Sequence, residues 1–394
     1  MIYVHIPFCR SFCTYCDFYS EVAAKCCEAQ KQARQNELFE SFSDALGREI
    51  SLRAGEMSDK LNTLYIGGGT PSVLPLSVYT SLVERLAEVG ICGPFEEFTF
   101  EVNPEDIVEK GEAYIEGLIE LGVNRFSMGV QSFDDGILKW MNRRHDAATA
   151  RKAYSILENA GADNISIDLI FGLPQLADFV WKDTLDQALD ISSRGVLPRH
   201  ISSYQLSVEP GSALAKLVDR GVWSEASDEL CTRQYDMLCG TLAAAGYHHY
   251  EISNFALPGF EAKHNSAYWS HIPYVGLGPG AHSFGGSGRC RCIPMAAIRQ
   301  WNNPDLQAYI VDPQSVQGHE DLNEEQLVLE KIMLALRTSA GISEDFLRTH
   351  ASEEVLEYAL RSGDLVPSHL PGNLRIPETR FFVSDNIISY LCGS

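Results

Sequence analysis

Three cysteines stand close together near the N-terminus, in Cys9-Arg10-Ser11-Phe12-Cys13-Thr14-Tyr15-Cys16, with C-x3-C-x2-C spacing and no fourth cysteine close behind. Thiolates this near in sequence can converge on one metal centre. A structural zinc site takes four closed ligands, usually from paired C-x2-C units. A [4Fe–4S] cube also ordinarily takes four thiolates. A trio therefore leaves one iron of a cube open to a ligand that is not protein. A structural metal site and a disulfide loop are the other readings of the same residues.

Further candidates sit where strands are expected to end, the place that serves the active site in barrel-like α/β folds. One apolar stretch runs into Gly67-Gly68-Gly69-Thr70-Pro71. Glycines let the backbone approach a ligand closely. The turn is neither a Walker A loop nor a dinucleotide fingerprint, lacking both Gly-Lys-Ser/Thr and G-x-G-x-x-G. A plain structural corner is the alternative. Glu101 precedes Asn103-Pro104, Gln131 closes the next stretch, and Asp168 lies inside the apolar run ISIDLIFGLP. A carboxylate in so apolar a strand needs a partner, because an unpaired buried charge is costly. A ribose diol or a cationic ligand would supply one.

The elements that must hold these residues alternate along the chain. Strands are expected at 2–6, 63–66, 97–102, 125–130, 165–171 and 200–206, with helical stretches between them. Leu38, Phe39, Phe42, Ala45, Leu46 and Ile50 recur at three- and four-residue steps, the pattern of an amphipathic helix packed on a sheet. Residues 26–35 are polar and aperiodic and read as a loop. Six strands in β-then-α order predict a parallel sheet with right-handed crossovers. Six units fall short of the eight that close a TIM barrel. The expected fold class is thus α/β: an open partial (β/α)6 barrel over 1–208, a smaller α+β extension over 209–315, and a winged-helix-like domain over 316–394. In the extension, 230–245 reads as a helix, 247–255 as extended chain and 276–288 as glycine-rich loop. The last region offers three short helices and a terminal hairpin.

The 394 residues carry a net charge of −22. That balance argues against a nucleic-acid partner, since phosphate binding needs clustered Lys and Arg. The winged-helix-like region is accordingly expected to pack or dock. No run of about 18 or more apolar residues appears, which predicts no transmembrane segment. The start, MIYVHIPFC, has no basic n-region and no cleavage-like segment. Eleven cysteines in an unexported chain suggest a reducing compartment, so the cytoplasm is the expected location.

Taken together, YVHIPFC, the cysteine loop ending YCDF, YIGGGTPS, FEVNPE, RFSMGVQSF, IDLIFGLP and SSYQLSVEPGS resemble the radical S-adenosylmethionine (SAM) proteins typified by oxygen-independent coproporphyrinogen III oxidase and the heme chaperone HemW. The matches cover most of 1–212. The resemblance implies a [4Fe–4S] cluster on Cys9, Cys13 and Cys16, with SAM at the open iron. Tyr15, just before the last ligand, is typical of that superfamily. The implied SAM contacts are Tyr3, Tyr15, Gly68, Gly69, Thr70, Glu101, Gln131, Arg143 and Asp168. Two features separate the branches. The oxidase places a further cysteine two positions after its third ligand, where this chain has Phe18. His264-Asn265-Ser266-Ala267-Tyr268-Trp269 matches the HNxxYW motif of the chaperone branch. Histidine is a common axial ligand of heme iron, and Tyr268 and Trp269 could stack on a porphyrin face. His264 is therefore the expected heme ligand; His282 and the pair His248-His249 are the alternatives.

The implied function is a heme chaperone that binds heme and passes it to acceptor hemoproteins, such as respiratory ones. Peripheral membrane contact through those acceptors and a homodimer are compatible with it. The enzymatic alternatives are radical decarboxylation of coproporphyrinogen III and, further off, a radical SAM methyltransferase.

Overall fold

The computed structural model describes residues 1–22, 29–57, 62–286 and 297–393. These divide into two compact units. The first comprises 1–234, 274–283 and 300–319, and the second 235–273, 284–299 and 320–394.

The first unit runs β1 (Ile2–Ile6), α1 (Ala29–Leu52), β2 (Thr63–Gly68), α2 (Leu76–Glu88), β3 (Glu97–Val102), α3 (Pro104–Lys110), α4 (Glu112–Glu120), β4 (Arg125–Gln131), α5 (Asp135–Trp140), α6 (Ala147–Asn159), β5 (Ile165–Phe171), α7 (Asp178–Leu189) and β6 (His200–Gln205). All six strands expected from the alternation are present. They are buried almost end to end, as strands covered on both faces must be. Helix α1 turns Phe39, Phe42, Ala45, Leu46 and Ile50 into the core at the spacing read from the sequence.

Two differences from expectation have physical causes. Helix α1 starts at Ala29, inside the stretch read as a loop; residues 26–28 lie outside those described. A seventh strand, β7 (Val275–Leu277), comes from the stretch read as glycine-rich loop. It pairs in parallel with β1, Tyr3 facing Gly276, to give the order β7-β1-β2-β3-β4-β5-β6. Every pairing in this run is parallel, and its two outermost strands do not pair with each other. The barrel is open.

What draws the distant 276–309 segment onto β1 is a buried carboxylate on α1. Glu49 is fully buried and accepts from Gly278 N at 2.8 Å, Asn302 Nδ2 at 2.8 Å and Tyr309 Oη at 2.7 Å. Arg53, one turn on, sits 3.3 Å from Glu49 and donates to Gly276 O at 2.6 Å and Ser283 Oγ at 3.0 Å. Three residues carry little strand signal by themselves; here the side chains of α1 satisfy the backbone around them.

The second unit contains the antiparallel pair 248–251 and 254–256 and the helix Lys263–Trp269. It also holds the helices Glu324–Ala335, Glu344–His350 and Glu353–Ser362, and a small sheet ordered 342–343, 373–375, 366–367. A last helix, Ser384–Leu391, stands where only a hairpin was expected. Among the described residues no helix is long and apolar enough to cross a membrane.

Removing the Glu49 carboxylate leaves Arg53 buried without its charge partner, a type of loss worth about 3–5 kcal/mol. Urea unfolding of Glu49→Ala should show that drop, and Glu49→Gln, which keeps an acceptor, a smaller one. An Ala variant as stable as the parent would remove this account of β7.

Candidate metal and cofactor centre

Strand β1 delivers the chain through Pro7 into the cysteine loop, at the ends of β2–β5. The loop is fixed by neighbours rather than by its own secondary structure. Thr14 N donates to Met141 O at 3.0 Å and Thr14 Oγ1 to Trp140 O at 2.9 Å. Asn142, at φ +58°, donates its side-chain amide to Phe12 O at 2.7 Å. Leu214 N donates to Thr14 O at 2.8 Å.

Cys9 is buried, its Sγ 3.2 Å from Thr70 Oγ1, and the same hydroxyl accepts from Asn103 Nδ2 at 3.1 Å. Cys13 Sγ lies 3.5 Å from Arg143 Nη1. Arg143 Nη2 donates to Asn103 Oδ1 and Gly129 O, both at 2.7 Å. One guanidinium thus ties the cysteine loop to the ends of β3 and β4. Burial opposes its charge, but Tyr15, Cys13 and Glu105 outweigh that and hold it cationic more firmly than an ordinary arginine. Burial pushes the Cys16 thiol up to about 12, with Cys13 and Cys9 adding to the shift. Binding a metal must displace such protons, because the thiolate is the ligand.

The residues fit a cluster. Among the described residues no three His, Cys, Asp or Glu side chains converge as a single ion requires. A cube makes no such demand, since each thiolate serves a different iron.

Beside the loop, Glu101 accepts from Tyr65 Oη at 2.6 Å and Gly68 N at 3.1 Å. Burial, with Asp168 as a like-charged neighbour, pushes its carboxyl up to about 7. Asp168 pairs in register with Gly129 and Ser202 and accepts from Ser127 Oγ at 3.2 Å. Burial pushes it up to about 6, against the hydrogen bond of Ser202 and the charge of Arg125. Tyr3 packs on Tyr65, ring centroids 5.9 Å apart, and its hydroxyl is 3.0 Å from His5 Nδ1. Gln131 occupies the left-handed region at φ +68°, its amide so close over Gly129 that a Cβ there would sit 2.9 Å from Nε2.

The glycine run proves tight against its own chain. A Cβ on Gly67 would lie 2.7 Å from Glu101 Oε1, on Gly68 (φ +108°) 2.6 Å from the His5 ring, and on Gly69 2.7 Å from Phe8 O. Internal packing therefore demands glycine at all three positions, whatever ligand approaches.

The structure brings Tyr3, Cys9, Cys13, Tyr15, Cys16, Gly68, Gly69, Thr70, Glu101, Gln131, Arg143 and Asp168 to one end of the first unit's sheet. Sequence reasoning missed Tyr65, Asn103, Ser127 and His145, whose ring spans Glu105 Oε2 (3.2 Å) and Val130 O (3.1 Å). Tyr65, one residue from Ile66 in a strand already assigned, was the most visible signal.

In the second unit His264 is fully buried, with Nε2 3.0 Å from Tyr268 Oη and the rings edge to face at 4.9 Å. Iron ligation by His264 requires that bond to be given up. Trp269, at the end of the same helix, is partly exposed and lines a cavity.

Residues 3–188 match the family model of the radical SAM superfamily. The chain is 33% identical to heme chaperone HemW of Lactococcus lactis, over 86% of this chain and 82% of that protein. It is 34% identical to heme chaperone HemW of Bacillus subtilis, over 86% and 84%. Radical S-adenosyl methionine domain-containing protein 1, mitochondrial, of Danio rerio is 30% identical over 90% and 77%. The solved coproporphyrinogen III oxidase HemN of Escherichia coli superposes with TM-score 0.74 at 20% identity, covering 99% of this chain and 89% of that one, a likeness of fold. With the cysteine loop and the polar strand ends gathered at one edge of an open parallel barrel, and with chaperones this similar along most of their length, the chain belongs to the HemW family of radical SAM proteins.

Proposed function

We propose that this chain is a heme carrier of the cytoplasm: it binds a [4Fe–4S] cluster through Cys9, Cys13 and Cys16, SAM at the open iron, and a heme that it passes to acceptor hemoproteins. The observation that carries the reading is the single-ended gathering of the thiols with Arg143, Glu101, Gln131 and Asp168, in a chain aligned along most of its length with heme chaperones. When bound, the cluster and SAM supply one-electron and radical chemistry.

The chain's own residues bind and orient. Arg143 adds positive charge beside Cys13, offsetting the charge of a thiolate set. Thr70 and Asn103 fix the wall next to Cys9. Glu101 and Asp168 hold two carboxyls at the ends of neighbouring elements, where a ribose diol or a sulfonium cation finds acceptors. Glu101, held near neutrality while no cation faces it, is drawn to its charged form by a positive ligand.

Three outcomes test this. Anaerobic reconstitution of the parent should give iron and sulfide in cluster proportion and an EPR signal that changes on adding SAM. Cys13→Ala should lose nearly all of that iron. Zinc in place of iron and sulfide in the parent, or a spectrum indifferent to SAM, would defeat the cluster reading.

Glu101 gives a pH signature in protein without cluster or ligand. Its pKa rises from 4.5 to about 7 on folding, so the folded state takes up the proton more readily than the unfolded one. Its stabilising contribution is complete below about pH 4.5 and is lost as pH rises through about 7. The melting temperature should therefore fall less steeply across that window in Glu101→Gln than in the parent. Parallel curves would mean the carboxyl is already charged in the empty fold.

The decarboxylase alternative is decided by anaerobic incubation with SAM, a reductant and coproporphyrinogen III. The carrier reading expects no multiple-turnover formation of protoporphyrinogen IX; its formation would overturn that reading.

A further inference from the structure

The second unit encloses a cavity of about 1000 Å³ that none of the SAM-site residues touches. Small-molecule pockets run to about that size at their upper end, so the space suits a ligand as broad as a macrocycle. Its walls include the aromatic rings of Tyr247, Tyr250 and Trp269. Trp269 is the last residue of the HNxxYW motif, and His264 of that motif is turned away from solvent onto Tyr268.

The histidines on the cavity differ in what already holds them. His249 is committed: it stacks on Phe255 at 4.1 Å, meets Phe381 edge-on at 4.9 Å, and has Nε2 3.3 Å from Ile252 O. His369, in the turn between 366–367 and 373–375, is exposed. No hydrogen bond, ion pair or ring contact ties its imidazole among the described residues. His248 is also exposed, and its one recorded contact among those residues is Nδ1 at 4.0 Å from Glu261 Oε1. A carboxylate on one ring nitrogen is the usual arrangement around a metal-bound imidazole, because it leaves the other nitrogen turned out as a ligand.

We infer that this cavity is an iron-porphyrin site, with the macrocycle against Trp269 and axial ligation drawn from His248 and His369 rather than His264. An aromatic wall gives a flat, apolar ring its contact area, and imidazole is a common heme ligand. The walls also carry Asp236, Glu261 and Glu378, while Arg375 is the one arginine or lysine among the lining residues and is paired with Glu378 at 2.6 Å. The propionate edge therefore faces Arg375 or water, away from the carboxylates. The assignment rests on the heme-carrier reading and adds where the heme sits and what holds its iron.

The test uses the full chain and hemin, with absorption spectra followed through a titration. The parent should bind hemin with an imidazole-ligated Soret band. The double variant His248→Ala/His369→Ala should lose that band and bind at least about tenfold more weakly. Added imidazole should restore the ligated spectrum, since both residues are exposed and the cavity itself is left in place. Parent-like affinity and spectrum in the double variant would overturn the assignment, as would a loss that imidazole does not rescue. A parent that binds no hemin would overturn the carrier reading and this inference with it, so the two failures are distinguishable.

Discussion

The arrangement at the cysteine loop depends on one cation. Arg143 reaches Cys13 Sγ, Asn103 Oδ1 and Gly129 O from a single guanidinium, so the loop, β3 and β4 share one anchor. A planar group with donors in a fixed fork suits this better than an ammonium, which offers a point charge on a flexible stem. The loop has little regular structure of its own. Without the hydrogen bonds from Thr14 and Asn142 to neighbouring backbone, three thiols spaced C-x3-C-x2-C would have no fixed mutual geometry.

Around that anchor, the site is shaped by close packing as much as by charge. The three glycines after β2 leave room for Glu101, His5 and Phe8 O, which press against them. Glu101 in turn is aimed by Tyr65 and Gly68 N. The carboxylate that the sequence marks as a ligand contact and the glycines that it marks as a loop are one packed object. Gln131 adds a strained backbone, a left-handed conformation for a residue with a full side chain, of the kind that persists where surrounding structure over-determines it.

Legibility followed physical range. The six alternating strands were readable because a sheet buried on both faces demands continuous apolar runs. The helix of residues 29–52 was readable from Leu38 onward, where its apolar face begins, and unreadable before that, where its first residues carry no periodic signal. Strand 275–277 was missed because three residues among glycines are held by Glu49 and Arg53, more than 220 residues away in sequence. The site behaved in the same way. Residues announced by type, the cysteines, Glu101 and Asp168, were found; Asn103 and Ser127, polar residues that matter through the bonds they make, were passed over.

The amino-acid order by itself determined the thiol trio, the β-then-α alternation and the motif that places a tryptophan beside a histidine, because each is set by spacing within a few residues. Only the tertiary structure decided which imidazoles are available. His264 and His369 look equally able to bind iron when written as letters. Folding buries the first against a tyrosine hydroxyl and leaves the second open on a cavity wall. Burial and hydrogen bonding depend on what the rest of the chain packs around a residue, and no local pattern carries that information.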